Sequence, residues 1–149
     1  MPRPGKQEDV GLQLITVSRR YRRAMDAIFA ENGLSDASTL PLRFLIRQGR
    51  PYRQKDLAEE LDIEGPTLVR VLDTLVAQGL LKRAEDPGDR RAKLVTVTDE
   101  GHAYIEALAD RLDALRSQIF SGIPQRDIDA TLSLLSKLDA NMERVIRSE

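Results

Sequence analysis

The residues that most constrain how this chain folds run from Gln54 to Thr98. The segment QKDLAEELDIEGPTLVRVLDTLVAQGLL leads directly into KRAEDPGDRRAKLVTVT. Arg53 to Asp62 reads as a short helix with Leu57, Ala58 and Leu61 facing inward. Gly65 and Pro66 open a second helix, and proline suits its first turn because an N–H there has no partner within the helix. Leu68, Val71, Leu72 and Leu75 recur at helical spacing and form its inner stripe, and Gly79 ends it. Two β-rich segments, Leu81–Glu85 and Lys93–Val97, flank the turn signal Pro87-Gly88-Asp89. Helix, tight turn, helix and basic hairpin, in that order, make a winged helix-turn-helix. Such a unit lays one helix in the major groove of DNA and a loop against the neighbouring minor groove.

The flanking sequence is helical. The first eight residues read as a loose arm. Leu14, Val17, Tyr21, Met25 and Ile28 then recur at spacings of three and four, a helix of about 22 residues ending near Asn32-Gly33. Ser35 or Asp36 caps a helix carrying Leu40, Phe44 and Leu45, which stops at Gln48-Gly49. Pro41 lies early in it, where a missing N–H costs less than in mid-helix. Thr98 caps a helix of about 23 residues with Ile105, Leu108, Leu112, Leu115 and Ile119 along one stripe. Gly122 and Pro124 break it. The last helix repeats the pattern with Ile128, Leu132, Leu135, Met142 and Ile146.

The expected fold class is therefore mainly α with a small β-hairpin wing, a winged helix-turn-helix with long dimerisation helices. Residues 1–35 hold the arm and first dimerisation helix, 36–97 the DNA-binding domain, and 98–149 the C-terminal dimerisation helices. Three long helices around so small a head leave apolar stripes for a second copy. A homodimer also matches the two-fold logic of operator binding.

Composition narrows the class further. A net charge of -1 means that any DNA contact comes from a local basic patch. The absence of cysteine excludes disulfides and thiol chemistry. A single histidine, His102, has no set of His or Cys partners, so neither a metal nor another cofactor is expected. No apolar run approaches the roughly 18 residues of a membrane span. The start, MPRPGKQEDV, lacks the apolar core of a signal peptide, and a cytoplasmic location is expected. An enzyme is not expected: there is no nucleophile with a base, no glycine-rich phosphate loop and no metal cluster.

On the second helix of the head, Pro66, Arg70, Asp73 and Ala77 fall opposite the apolar stripe, with Thr67 and Thr74 on one flank. Arg70 is the best base reader, since its planar fork can donate two bonds to guanine O6 and N7. Thr67 and the backbone near Gly65 suit a phosphate at the helix start. In the hairpin, Arg90 and Arg91 stand where a wing meets an A·T-rich minor groove. Asp89 is expected to pair with a wing arginine and fix its direction. Lys82, Arg83 and Lys93 are expected to hold phosphates. The plainer alternative makes these residues solvated surface charges on a winged-helix protein–protein module that does not bind DNA. Arg70 together with Arg90-Arg91 weighs against it.

These residues bear a resemblance. The chain is similar to MarR-type transcriptional regulators and closest to the SlyA branch, over nearly its whole length. The most specific parts are LAEELDIEGPTLVRVLDTLVAQGLLKR and DPGDRRAKLVTVTDEG. The family's wing pattern falls on Asp89, Arg90, Arg91, Leu94, Thr98 and Gly101, and the branch's recognition-helix pattern on Pro66, Thr67, Leu68, Val69 and Arg70. The resemblance implies a homodimer on pseudo-palindromic operator DNA, usually a repressor, often released by a small anionic aromatic effector.

A sensing site is sought in Arg19-Arg20-Tyr21-Arg22-Arg23. Such a run can be a solvated face. Its functional alternative is a pocket where the first helix meets the second and fifth, with an arginine gripping a carboxylate through two parallel bonds. Arg19 and Arg22 match basic positions of SlyA-like pockets, and Arg43 points to the same region. The chain departs from that branch at Thr39, where tryptophan is expected. An aromatic wall then falls to Tyr21 or Phe44.

Overall fold

Helical spacing in the sequence becomes helix throughout the computed structural model, which describes residues 5–149. Helix α1 spans Lys6–Phe29 and carries Glu8 and Asp9 in its first turn, at the positive end of the helix dipole. The loose arm expected over the first eight residues is therefore helical from Lys6 onward, and residues 1–4 lie outside the described residues. A 3-10 turn at Ala30–Asn32 and Gly33, at φ 68°, end this segment.

Helix α2, Asp36–Gln48, starts at Ser35 with a reciprocal cap. The Ser38 N–H donates to Ser35 Oγ at 3.0 Å and the Ser35 N–H to Ser38 Oγ at 2.8 Å. Two donors that a helix start leaves unpaired are thus satisfied. Pro41 lies in the second turn rather than the first, and it is fully buried, so core packing holds it there.

Helices α3 (Gln54–Glu60) and α4 (Gly65–Ala77) follow a two-residue strand β1 (Tyr52–Arg53). Strands β2 (Leu81–Asp86) and β3 (Asp89–Val97) complete a three-stranded antiparallel sheet in the order β1-β3-β2. Tyr52 pairs with Val95 and Arg53 with Leu94. Strand β1 was not anticipated, because two residues carry no measurable alternation. Helices α5 (Asp99–Ile119) and α6 (Gln125–Arg147) end the chain.

The core sits where α2, α3, α4 and the sheet converge. Leu42, Leu45, Leu57, Leu68, Leu72, Leu75, Leu81 and Val95 are fully buried there, with Met25 and Phe29 from α1. Burying each such side chain contributes about 1.5–3 kcal/mol. Chain contacts divide the protein into one compact unit ending at Asp113 and another from Ala114 to Glu149. The first unit is larger than the 36–97 head, since Met25, Ile28 and Phe29 of α1 and Leu108 and Leu112 of α5 are buried within it. In the second, no residue of α6 is buried. No helix among the described residues is long and apolar enough to cross a membrane.

Candidate nucleic-acid interface

Helix α4 turns its leucines inward because Leu68, Leu72 and Leu75 share one stripe. The opposite side is left to Thr67, Arg70, Asp73 and Thr74, all exposed. Glu64 precedes the helix without a side-chain cap, and Pro66 sits in the first turn. The backbone N–H groups near Gly65 and Thr67 therefore begin an uncapped helix with a positive end. Arg70 makes no ion pair among the described residues. Thr74 is partly engaged, its hydroxyl donating to the Arg70 carbonyl at 3.2 Å.

Arg83, expected to hold a phosphate, is engaged within the head. Its guanidinium is turned inward, with Nε donating to Gln54 Oε1 at 3.2 Å, Nη1 to Asp73 Oδ1 at 2.6 Å and Nη2 to the Val69 carbonyl at 3.2 Å. This side chain is bonded to α3 and α4 at once. Lys82 and Lys93, by contrast, are exposed and unpaired among the described residues. Strand alternation directs Lys82 to the face opposite Arg83.

The wing also differs from expectation at its tip. Strand β3 starts at Asp89, so Arg90 and Arg91 lie in the strand and the turn shrinks to Pro87-Gly88. Asp89 pairs with no wing arginine: its Oδ1 accepts the Arg91 backbone N–H at 3.0 Å. The ion pair that ties the wing down is Arg53 Nε to Asp86 Oδ2, at 2.7 Å. Asp86 Oδ1 also accepts the Gly88 N–H at 2.9 Å, closing the turn. That backbone bond is the main cause that holds the Asp86 carboxyl below its ordinary value of 3.8; burial opposes it, and the Arg53 hydrogen bond and charge add to the lowering. Arg91 and Lys93 face a cleft of about 500 Å³ whose other wall is Gln54, Lys55 and Asp56 of α3. Sequence reasoning missed Arg53, Gln54, Lys55 and Asp86. Arg53 stands on β1, which is too short to leave a pattern, and the others meet their partners only in the folded chain.

Behind the interface, Thr98 and Gly101 lock α5 to the head. Thr98 Oγ1 donates to the Gly79 carbonyl at 2.6 Å and accepts the Gly101 N–H at 3.0 Å. A Cβ on Gly101 would lie 2.2 Å from the Leu80 carbonyl oxygen. No other residue fits that approach without movement.

The MarR family model matches residues 32–92, which cover α2, both helices of the reading head and the wing through Ala92. The chain is 32% identical to a solved transcriptional regulator, PA3341, over 91% of this chain and 98% of that one, with a TM-score of 0.80. A transcriptional regulator of the MarR family from Rhodococcus sp. RHA1 is 26% identical over 91% and 96% of the two chains, with a TM-score of 0.80. The chain belongs to the MarR family. Bordetella bronchiseptica BpsR, whose DNA binding is regulated by 6-hydroxynicotinic acid, is 26% identical over 92% and 97%, with a TM-score of 0.77. MarR family members are transcriptional regulators, so this chain is a regulator and not an enzyme.

The arginines expected to sense a ligand are engaged within the chain. Asp36, at the start of α2, is buried and takes Arg43 Nη2 at 2.7 Å and Arg22 Nε at 3.7 Å. Arg43 also donates to Thr39 Oγ1 at 3.2 Å and to the Asp36 carbonyl at 2.9 Å, and its guanidinium lies 5.3 Å from the Phe29 ring centre. Thr39 is fully buried, with its hydroxyl on the Ser35 and Asp36 carbonyls. The Asp36 N–H in turn reaches Asp26 Oδ1 at 2.7 Å. Arg22 and Arg43 thus converge on an internal carboxylate. Tyr21 is half-buried, and Arg19 is exposed.

Proposed function

We propose that the protein is a sequence-specific DNA-binding regulator, in the repressor sense, acting as a homodimer on pseudo-palindromic operators. The observation that carries this reading is Arg70 on the outer face of α4, unpaired among the described residues, in the same unit as a wing bearing Arg90, Arg91 and Lys93. Arg70 donates to a guanine edge, and Thr67 and the backbone near Gly65 and Pro66 meet a phosphate. Lys82 and Lys93 hold further phosphates, and Arg90 or Arg91 enters the minor groove.

The dimer is supported by apolar surface that a single chain leaves in water. Leu12, Ile15 and Val17 of α1 are exposed, as are Leu132, Leu135, Met142 and Ile146 of α6. Two recognition helices then address half-sites one helical turn apart, about 34–36 Å.

Selection of bound fragments by the purified protein identifies the operator. Anisotropy titration against that operator and a scrambled duplex over a salt series then tests the reading. Operator preference and a steep loss of affinity with salt are expected. A salt slope near zero removes the DNA-binding reading and leaves a protein–protein module.

Ligand control is supported by the regulated relative BpsR. A small anionic aromatic molecule binds near Arg19, Tyr21, Arg22, Thr39 and Arg43 by displacing Asp36 from its arginines. A tenfold to hundredfold preference for one state, about 1.4–2.7 kcal/mol, is enough to release a marginally occupied site. Arg22→Ala then loses the ligand response and keeps the affinity of the free protein for DNA. If no aryl carboxylate or phenol changes operator affinity at millimolar concentration, this part fails while the DNA reading stands.

A further inference from the structure

The recognition helix carries an acidic residue on its outer side. Asp73 lies three residues beyond Arg70, and its side chain is 60% exposed. A free carboxylate there would repel the phosphate backbone. Its partner, the Arg83 side chain, is only 23% exposed, and Nη1 lies 2.6 Å away.

Arg83 holds more than this charge. It sits on β2 opposite Val95 of the central strand, so its backbone belongs to the sheet. Its three bonds run to Gln54, the first residue of α3, and to Val69 and Asp73, one turn apart on α4. Val69 immediately precedes Arg70. Rolling α4 by one residue position, about 100°, would carry both of its acceptors away from the guanidinium. The planar fork makes these bonds in fixed mutual directions, which a lysine ammonium cannot reproduce.

We propose that Arg83 is a positioning residue for operator discrimination: it fixes the roll of α4 against the wing, and with it the direction of Arg70, while neutralising Asp73 on the DNA-facing helix. This rests on the DNA-binding reading above and assigns Arg83 a role distinct from phosphate contact.

The test compares wild type, Arg83→Ala, Arg83→Lys, Asp73→Asn and the Arg83→Ala/Asp73→Asn double variant. Each is titrated with operator and scrambled duplex over a salt series, after its thermal transition confirms folding. Arg83→Ala is expected to lower the ratio of operator to scrambled affinity about tenfold, and Arg83→Lys to lower it similarly, because the charge remains and the three bonds do not. The double variant regains affinity for both duplexes relative to Arg83→Ala, since the unmasked carboxylate is gone, but it does not regain the ratio.

A phosphate contact gives another pattern. Arg83→Ala then weakens both duplexes alike and flattens the salt slope by about one, and Arg83→Lys restores both. That result overturns the proposal and leaves DNA binding intact. If Arg83→Ala does not fold, Gln54→Ala and Asp73→Asn carry the test: each must lower the ratio, and an unchanged ratio in either overturns the assignment. Absence of salt-dependent binding by wild type to either duplex removes the DNA reading itself, and this proposal with it.

Discussion

The reading head and the last helix are built from similar apolar spacing and reach opposite ends. In the head, α4 places Leu68, Leu72 and Leu75 against α2, α3 and the sheet, and all three vanish from solvent. In α6, Leu132, Leu135, Met142 and Ile146 recur with comparable regularity, and none is buried. Amphipathic patterning specifies a face to be covered but does not say by what. The head covers its own faces within one chain. The last helix has the same requirement and, as a single chain, leaves it unmet.

The largest expected effect breaks this contrast at α6. The paired substitutions Leu132→Asp and Leu135→Asp touch exposed positions, so in a monomer each would change stability by no more than about 0.5 kcal/mol. In a homodimer they place charges in the interface. Sedimentation should then show monomers, and operator affinity should fall about a hundredfold or more as the two-headed grip is lost. A variant that still sediments as a dimer would remove α6 from the interface.

Leu72→Ala attacks the other side of the comparison. Leu72 is fully buried within the head, and its truncation should cost about 2–5 kcal/mol. Denaturation at several protein concentrations sharpens the contrast: this destabilisation should scarcely depend on concentration, whereas that of the α6 variant should. Gly101→Ala probes where the head meets α5. Its methyl collides with the Leu80 backbone, and about 1–3 kcal/mol of destabilisation is expected. Thermal melts at matched concentration measure it, and a neutral result would mean that the corner relaxes freely.

Arg70→Ala should leave stability unchanged and cost about 1–3 kcal/mol of affinity on the operator, with little effect on scrambled DNA. Equal losses on both would make Arg70 a phosphate contact.

The smallest effect concerns Asp86. Its folded carboxyl titrates below the ordinary aspartate value of 3.8, so the stabilising contribution is complete above that value and disappears as pH falls through the lowered one. The melting difference between wild type and Asp86→Asn should be constant above 3.8 and close on further acidification. A difference that stays the same to the lowest pH would mean that the ionised carboxylate contributes nothing.

Local chemistry made much of this molecule readable in one dimension. The stripe Leu68, Leu72, Leu75, the proline in the first turn of α4, the Ser35 cap and the stops at Gly33, Gly49 and Gly79 are set by neighbours a few residues away. Periodicity and capping register such short-range preferences directly. The outer face of α4, with Thr67 and Arg70, follows from the same arithmetic. The partners of charged side chains do not. Arg83 meets Asp73 and Gln54 across 10 and 29 residues, Arg53 meets Asp86 across 33, and Arg43 turns onto the buried Asp36. A long cation can satisfy itself with any acceptor within reach, and its charge alone does not name one. Which arginines stay unpaired and which are consumed in holding the head together is therefore decided by packing in three dimensions. So is the third strand, whose two residues are defined only by their partners on β3.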